Sequence, residues 1–238
     1  MVLTFEDRPS DSPFIERVWR SRSEAGGAFL SIAQANLELV VSRTPGQTLV
    51  IVRGPETRPS LSPVPANGRW FGVRFALGVH MLRWPTTALL DHSSLILPVS
   101  YDGRFWLDGA AWDLPSYDDA EVFVDRLARR GVIARDPVVA AVLEGDRDAA
   151  TRRSVQRHFL QATGMTHTAL RQIQRARFAA DLLRAGAPIL DAVFEAGYFD
   201  QAHLTRSLRG LIGQTPARIA RREAQLSFLY KTDPPALV

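Results

Sequence analysis

Four side chains in the C-terminal third have the chemistry to read base edges: Gln201, His203, Thr205 and Arg206, interleaved with Leu204, Leu208 and Leu211 at helical spacing. A guanidinium can donate two hydrogen bonds to guanine, a carboxamide can pair at two points with adenine, and a hydroxyl or imidazole can reach a base edge or a phosphate. A second set of donors lies upstream, where Arg153, Gln156 and Arg157 are spaced at i, i+3 and i+4 next to Arg152. The plainer reading of each arginine is solvent exposure or an ion pair with Asp181, Asp191 or Glu195. Arg171, Arg175 and Arg177, farther along the chain, read as solvated or phosphate-facing rather than specific.

Other chemistries are poorly supported. The chain has no cysteine, which excludes disulfides, thiolate zinc sites, iron–sulfur clusters and cysteine nucleophiles. His80 and His92 belong to no H-x-H or H-x-x-x-H pair, so no protein-held metal is expected. There is no G-x-S-x-G elbow and no glycine-rich phosphate loop. Asp108, Asp113, Asp118 and Asp119 cluster near a helix start, where the helix dipole accounts for them. No cofactor and no catalysis are expected. Trp19, Trp70, Trp84, Trp106 and Trp112 all lie in the N-terminal half, as core or wall residues or as the lining of a small-molecule concavity.

The elements that must hold the reading residues are legible from periodicity. Leu170, Ile173, Ala176, Ala180 and Leu183 define a long amphipathic helix from Thr166 to Gly186. A short helix over 187–196 opens at Pro188, Gly197 supplies a turn, and a further helix runs from Asp200 to about Gly210. Short helix, glycine turn and polar second helix make a helix-turn-helix, although spacing alone fits any αα hairpin.

Upstream the pattern changes to strands. Asn36–Arg43 and Leu49–Arg53 flank the turn Thr44-Pro45-Gly46-Gln47, and in 69–77 Phe71, Val73, Phe75 and Leu77 alternate with Trp70, Gly72, Arg74 and Ala76. Four prolines between Gly54 and Gly68 predict a long loop or edge crossing. Ser116-Tyr117-Asp118-Asp119 resembles a capping box opening a helix over 117–130, stopped by Gly131, and a second helical stretch starts at Pro137.

At 238 residues and 26.4 kDa, two domains are expected, and 46% hydrophobic with 23% charged residues is the composition of a folded globular chain. The net charge of +4 is unevenly distributed. Residues 145–238 hold fourteen basic residues, Lys231 among them, against eight acidic, whereas residues 1–144 hold fifteen against seventeen. A basic half on a slightly acidic one fits a nucleic-acid module joined to a differently employed domain. The segment Met1–Pro13 carries Glu6, Asp7 and Asp11 and lacks the character of a signal peptide, and no apolar run reaches membrane-spanning length. A cytoplasmic location without membrane association is the expectation.

The sequence also carries a resemblance. Pro188-Ile189-Leu190-Asp191, Glu195 through Ser207, and Gly213-Gln214-Thr215-Pro216 resemble the C-terminal helix-turn-helix of AraC/XylS-type transcription regulators. Val155-Gln156-Arg157-His158-Phe159 with Thr163-Gly164 resembles the reader helix of that family's first helix-turn-helix, with 166–185 as the linker helix. Two departures stand out: Val193 occupies a usual alanine position, and before Val155 the chain offers 137–143 and a Gly145–Ala150 connection in place of another short helix and a tight turn.

The resemblance covers about 151–220 and implies an α+β protein. An N-terminal antiparallel β-barrel or jelly-roll (cupin-like) domain over 1–132, for effector sensing or dimerisation, would precede an all-α domain over 133–225 with two helix-turn-helix units joined by a linker helix. Residues 226–238 would form a tail. The implied function is sequence-specific DNA binding in transcription regulation, as an activator by analogy. The implied partners are double-stranded promoter DNA, a small-molecule effector, RNA polymerase and a second copy of the chain. A barrel-type small-molecule-binding protein or enzyme with a degenerate helical appendage is the alternative.

Overall fold

The computed structural model describes residues 3–91, 94–146 and 150–222. His92, residues 147–149 of the connection before Val155, residues 223–225 and the tail 226–238 with Lys231 lie outside the described residues. Among the described residues two units emerge: those within 3–27, 35–55 and 64–166 form the first, and those within 28–34, 56–63 and 167–222 the second.

In chain order the strands are β1 (Thr4–Pro9), β2 (Ile15–Arg22), β3 (Gly27–Ser31), β4 (Glu38–Thr44), β5 (Gln47–Arg53), β6 (Ser60–Val64), β7 (Arg69–Phe75), β8 (Val79–Met81), β9 (Ser94–Leu97), β10 (Arg104–Leu107) and β11 (Ala110–Asp113). Helix α1 (Ala120–Arg129) and strand β12 (Ile133–Arg135) follow, then α2 (Pro137–Leu143), α3 (Arg152–Thr163), α4 (His167–Ala185), α5 (Ile189–Glu195), α6 (Gln201–Leu211) and α7 (Pro216–Ala220). The class is α+β, antiparallel strands giving way to helices.

The first unit is organised by a six-stranded antiparallel sheet in the order β1-β2-β7-β4-β5-β9. The period of two expected in 69–77 is present: Val73 and Phe75 are buried with Val18, Leu39, Val41, Val50 and Val52 on one face, against Phe123, Val124 and Leu127 of α1. On the opposite face Arg74 is buried and paired with Glu38 at 2.8 Å. At a corner, Arg8 on β1 meets Glu121 on α1 at 2.6 Å, and this hydrogen bond outweighs burial to hold the Glu121 carboxyl down at about 2.

Two expectations shift. Helix α1 begins at Ala120 rather than 117, because the Asp119 carboxylate accepts from the Ser116 N–H at 2.6 Å and closes the preceding turn instead of capping the helix. The proline-rich stretch 54–68 contains a strand, β6, paired with β3 in a two-stranded ribbon where Pro63 costs no central ladder bond. The tryptophans divide: Trp19 and Trp112 are buried, whereas Trp84 and Trp106 are exposed.

The second unit has its own core, built from Ala176, Ala180 and Leu183 of α4, Ala192 and Val193 of α5, Leu204 and Leu208 of α6, Ile212, and Ile219 of α7. One member comes from far upstream. Ile32, only 1% exposed, packs in this helical core, and the Ala33 N–H donates to the Leu211 carbonyl at 2.9 Å. Arg177 is buried and donates to the Ala33 carbonyl at 3.5 Å, so it is neither solvated nor phosphate-facing as its place on the linker helix suggested.

Candidate nucleic-acid interface

The second helix-turn-helix is built from α5, a glycine turn and α6. Pro188 stands at the N-cap of α5 rather than inside its first turn, and fixes the entry conformation. Gly197 has φ of 67°, a left-handed conformation that ends α5 and reverses the chain. Tyr198 then turns inward: it is 6% exposed, its hydroxyl lies 2.9 Å from the Ser207 hydroxyl, and the Arg175 guanidinium stacks on its ring at 4.4 Å. Burial raises the Tyr198 pKa, the Ser207 contact and the Arg175 charge opposing it, so the phenol stays neutral and bonded. Arg175 thus has a packing role in place of the solvated one expected.

Helix α6 starts at a clear cap. The Asp200 side chain accepts from the His203 N–H at 2.6 Å. Leu204 and Leu208 are fully buried, and this fixes which face remains outward. Gln201 and Arg206 are exposed on that outward face, with Arg209 beyond them. The Thr205 hydroxyl donates to the Gln201 carbonyl at 2.8 Å, leaving its lone pairs to accept. His203 is half-buried, its Nδ1 accepts from the Phe199 N–H at 3.5 Å, and its ring meets the Tyr198 ring edge-on at 5.1 Å. Of the alternatives open to Arg206, an ion pair is absent among the described residues.

Helix α3, which carries the second candidate set, is capped by Thr151, whose hydroxyl accepts from the Ser154 N–H at 3.3 Å, and ends at Gly164. Phe159 and Ala162 are buried, while Arg152, Arg153, Gln156 and Arg157 are all exposed. In place of the short helix and tight turn usual before Val155, α2 is a formed helix that contacts α3. Asp136 joins them, capping α2 while its second oxygen meets His158 Nδ1 at 2.7 Å. His158, whose role spacing did not disclose, is therefore a positioning residue for α3.

The residue types on α3 and α6 are donors of the kind that bind phosphates and base edges, set on rigid helices whose opposite faces are locked in a core. Among the described residues, no group of three or more His, Cys, Asp or Glu side chains could hold a metal ion, and no helix is long and apolar enough to cross a membrane.

Comparison with known proteins agrees with this site. Residues 147–222 match the family described as "Helix-turn-helix domain". The matched segment spans α3 to α7 and includes the α5, Gly197 and α6 arrangement described above. Among solved structures, the fold aligns with ToxT from Vibrio cholerae at 10% identity and a TM-score of 0.44, covering 92% of this chain and 98% of that one. No curated protein matches in sequence.

Proposed function

We propose that this protein is a sequence-specific transcription regulator that activates genes by binding promoter DNA through α6 and α3. In this reading Gln201 and Arg206 contact bases, with His203 and Thr205 at a base edge or phosphate, and Arg153, Gln156 and Arg157 do the same from α3 while Arg152 meets the backbone. The single observation that supports it best is the partition of α6: Leu204 and Leu208 are fully buried, while Gln201 and an unpaired Arg206 stand exposed on the other side. An incidental helical appendage has no reason to combine a locked inner face with such an outer one.

The strand-rich unit serves as the sensing or dimerising domain, and RNA polymerase is the partner through which bound protein activates. Domain limits of 1–132 and 133–225 belong to the same proposal. The test is selection of binding sites by the full chain from a random duplex pool. A recovered consensus, bound with an affinity that falls steeply as salt rises, supports the proposal. Retention of every duplex alike would refute it.

A further inference from the structure

The register of the six-stranded sheet brings three arginines into one row. Arg22 on β2 lies directly opposite Arg69 on β7, and Arg69 lies opposite Arg43 on β4. These strands are not consecutive, so sequence spacing gives no hint of the row. By the period of two it lies on the same face as Phe71 and Val41, one step in, and Val73 and Leu39, two steps in. Three guanidinium groups therefore end the face whose interior is the apolar core.

Like charges directly opposite one another oppose strand pairing. The neighbouring row resolves this internally, since Arg20 pairs with Glu6 at 2.7 Å. The arginine row does not: among the described residues neither Arg43 nor Arg69 has a carboxylate partner, and Arg22 is tied only to the Thr4 hydroxyl, at 3.2 Å. The row borders a cavity of about 670 Å³, well within the range of small-molecule sites. Tyr117 closes one side and is itself held, with Arg20 stacked over its ring at 4.5 Å and Arg8 at 5.1 Å.

We propose that this cavity binds a small organic anion, its charged head on Arg22, Arg69 and Arg43 and its apolar body on Phe71, Val41 and Tyr117. This rests on the reading of the strand-rich unit as a sensing domain and names the class of effector it senses. A guanidinium fork matches carboxylate, phosphate and sulfonate oxygens, and an anion there would relieve the repulsion along the row. The apolar surface beside the row excludes a bare inorganic ion as the preferred occupant, because only a ligand with an apolar part gains from covering it.

The experiment uses the full chain and calorimetric titration with benzoate, phenyl phosphate and octanoate, each against a neutral counterpart: benzamide, benzyl alcohol and octanamide. At least one anion should bind saturably at one per chain and at least tenfold tighter than its neutral counterpart. The double variant Arg43→Gln/Arg69→Gln should weaken that binding at least tenfold with unchanged circular dichroism, whereas Arg129→Gln, at an exposed ion pair on α1, should leave it intact. Trp70, which also borders the cavity, offers an emission readout. Neutral ligands binding as tightly as anions, no saturable anion binding, or full binding by the double variant would each overturn the proposal.

Repeating the titration with DNA present separates it from the sensing role. Saturation of an Arg69-dependent site that leaves DNA affinity unchanged refutes sensing while upholding the anion site. A change in DNA affinity produced by neutral ligands and insensitive to Arg43 and Arg69 does the reverse.

Discussion

Asp136 and His158 are joined by a hydrogen bond of 2.7 Å between a carboxylate that caps one helix and an imidazole on the next. The other carboxylate oxygen accepts from the N–H groups of Val138 and Val139 at 2.9 and 3.0 Å. One buried side chain therefore starts α2 and fixes the rotation of α3, the helix that carries Arg153, Gln156 and Arg157 outward.

Burial alone would raise the Asp136 pKa, but His158 and the two amides outweigh it and hold the carboxyl below the usual carboxylate range. With the folded value below the unfolded one, the stabilisation is present above about pH 4 and is lost as pH falls through the folded value. Asp136→Ala should cost about 1–3 kcal/mol at neutral pH. The gap to wild type should narrow in acid. Denaturant titrations at pH 7 and pH 3 measure both; a gap that stays constant would show that the charge of Asp136 contributes nothing.

Gly197 makes the turn between α5 and α6, at φ of 67°, and a methyl group there would meet nothing within 4 Å. Crowding is thus not at issue, and Gly197→Ala isolates backbone strain. It should cost about 1–2 kcal/mol, and Gly197→Asn less, since asparagine tolerates this conformation. Equal stability of Gly197→Ala and wild type would mean that the turn relaxes to another geometry.

Ile32 is a core residue of the helical unit although it lies 135 positions before the first residue of α4. Ile32→Ala should destabilise that unit by about 2–5 kcal/mol and lower DNA affinity as temperature rises. A fragment starting at residue 133 lacks Ile32 altogether and should melt lower than the same helices in the full chain. A fragment as stable as the whole would show that residues 28–34 only rest on the helices.

Much of this was legible in the sequence, and what was not has a physical reason. The faces of α4 and α6 follow from leucine and alanine at helical spacing, and the alternation around Phe71 and Val73 marks the strand's inner face as far as Phe75, beyond which Ala76 rather than Leu77 packs on the core. Both signals are local. Ile32 in a helical core, Arg177 bonded to Ala33, and Arg22 beside Arg69 and Arg43 depend on partners remote in sequence, which no period reveals. The carboxylates at 118 and 119 illustrate a second limit. A cap and a turn use the same residue types, and the start of α1 was placed three residues early for that reason.

The two modules should differ in discrimination. Helix α6 follows a tight glycine turn, whereas α3 is reached through the longer 144–151 connection and relies on Asp136 for its register. Alanine at Gln201 or Arg206 should relax base preference more than alanine at Gln156 or Arg157, which should mainly lower overall affinity and the salt slope. Equal loss of selectivity from both sets would show that α3 is positioned as accurately as α6.

Arg206 is the residue through which α6 would read sequence most directly. With the selected operator and a random duplex compared at one salt concentration, Arg206→Ala should cost roughly 1–3 kcal/mol on the operator and much less on random DNA, because a base contact is lost. An equal loss on both duplexes would contradict the assignment of α6 as the helix that reads sequence through this residue.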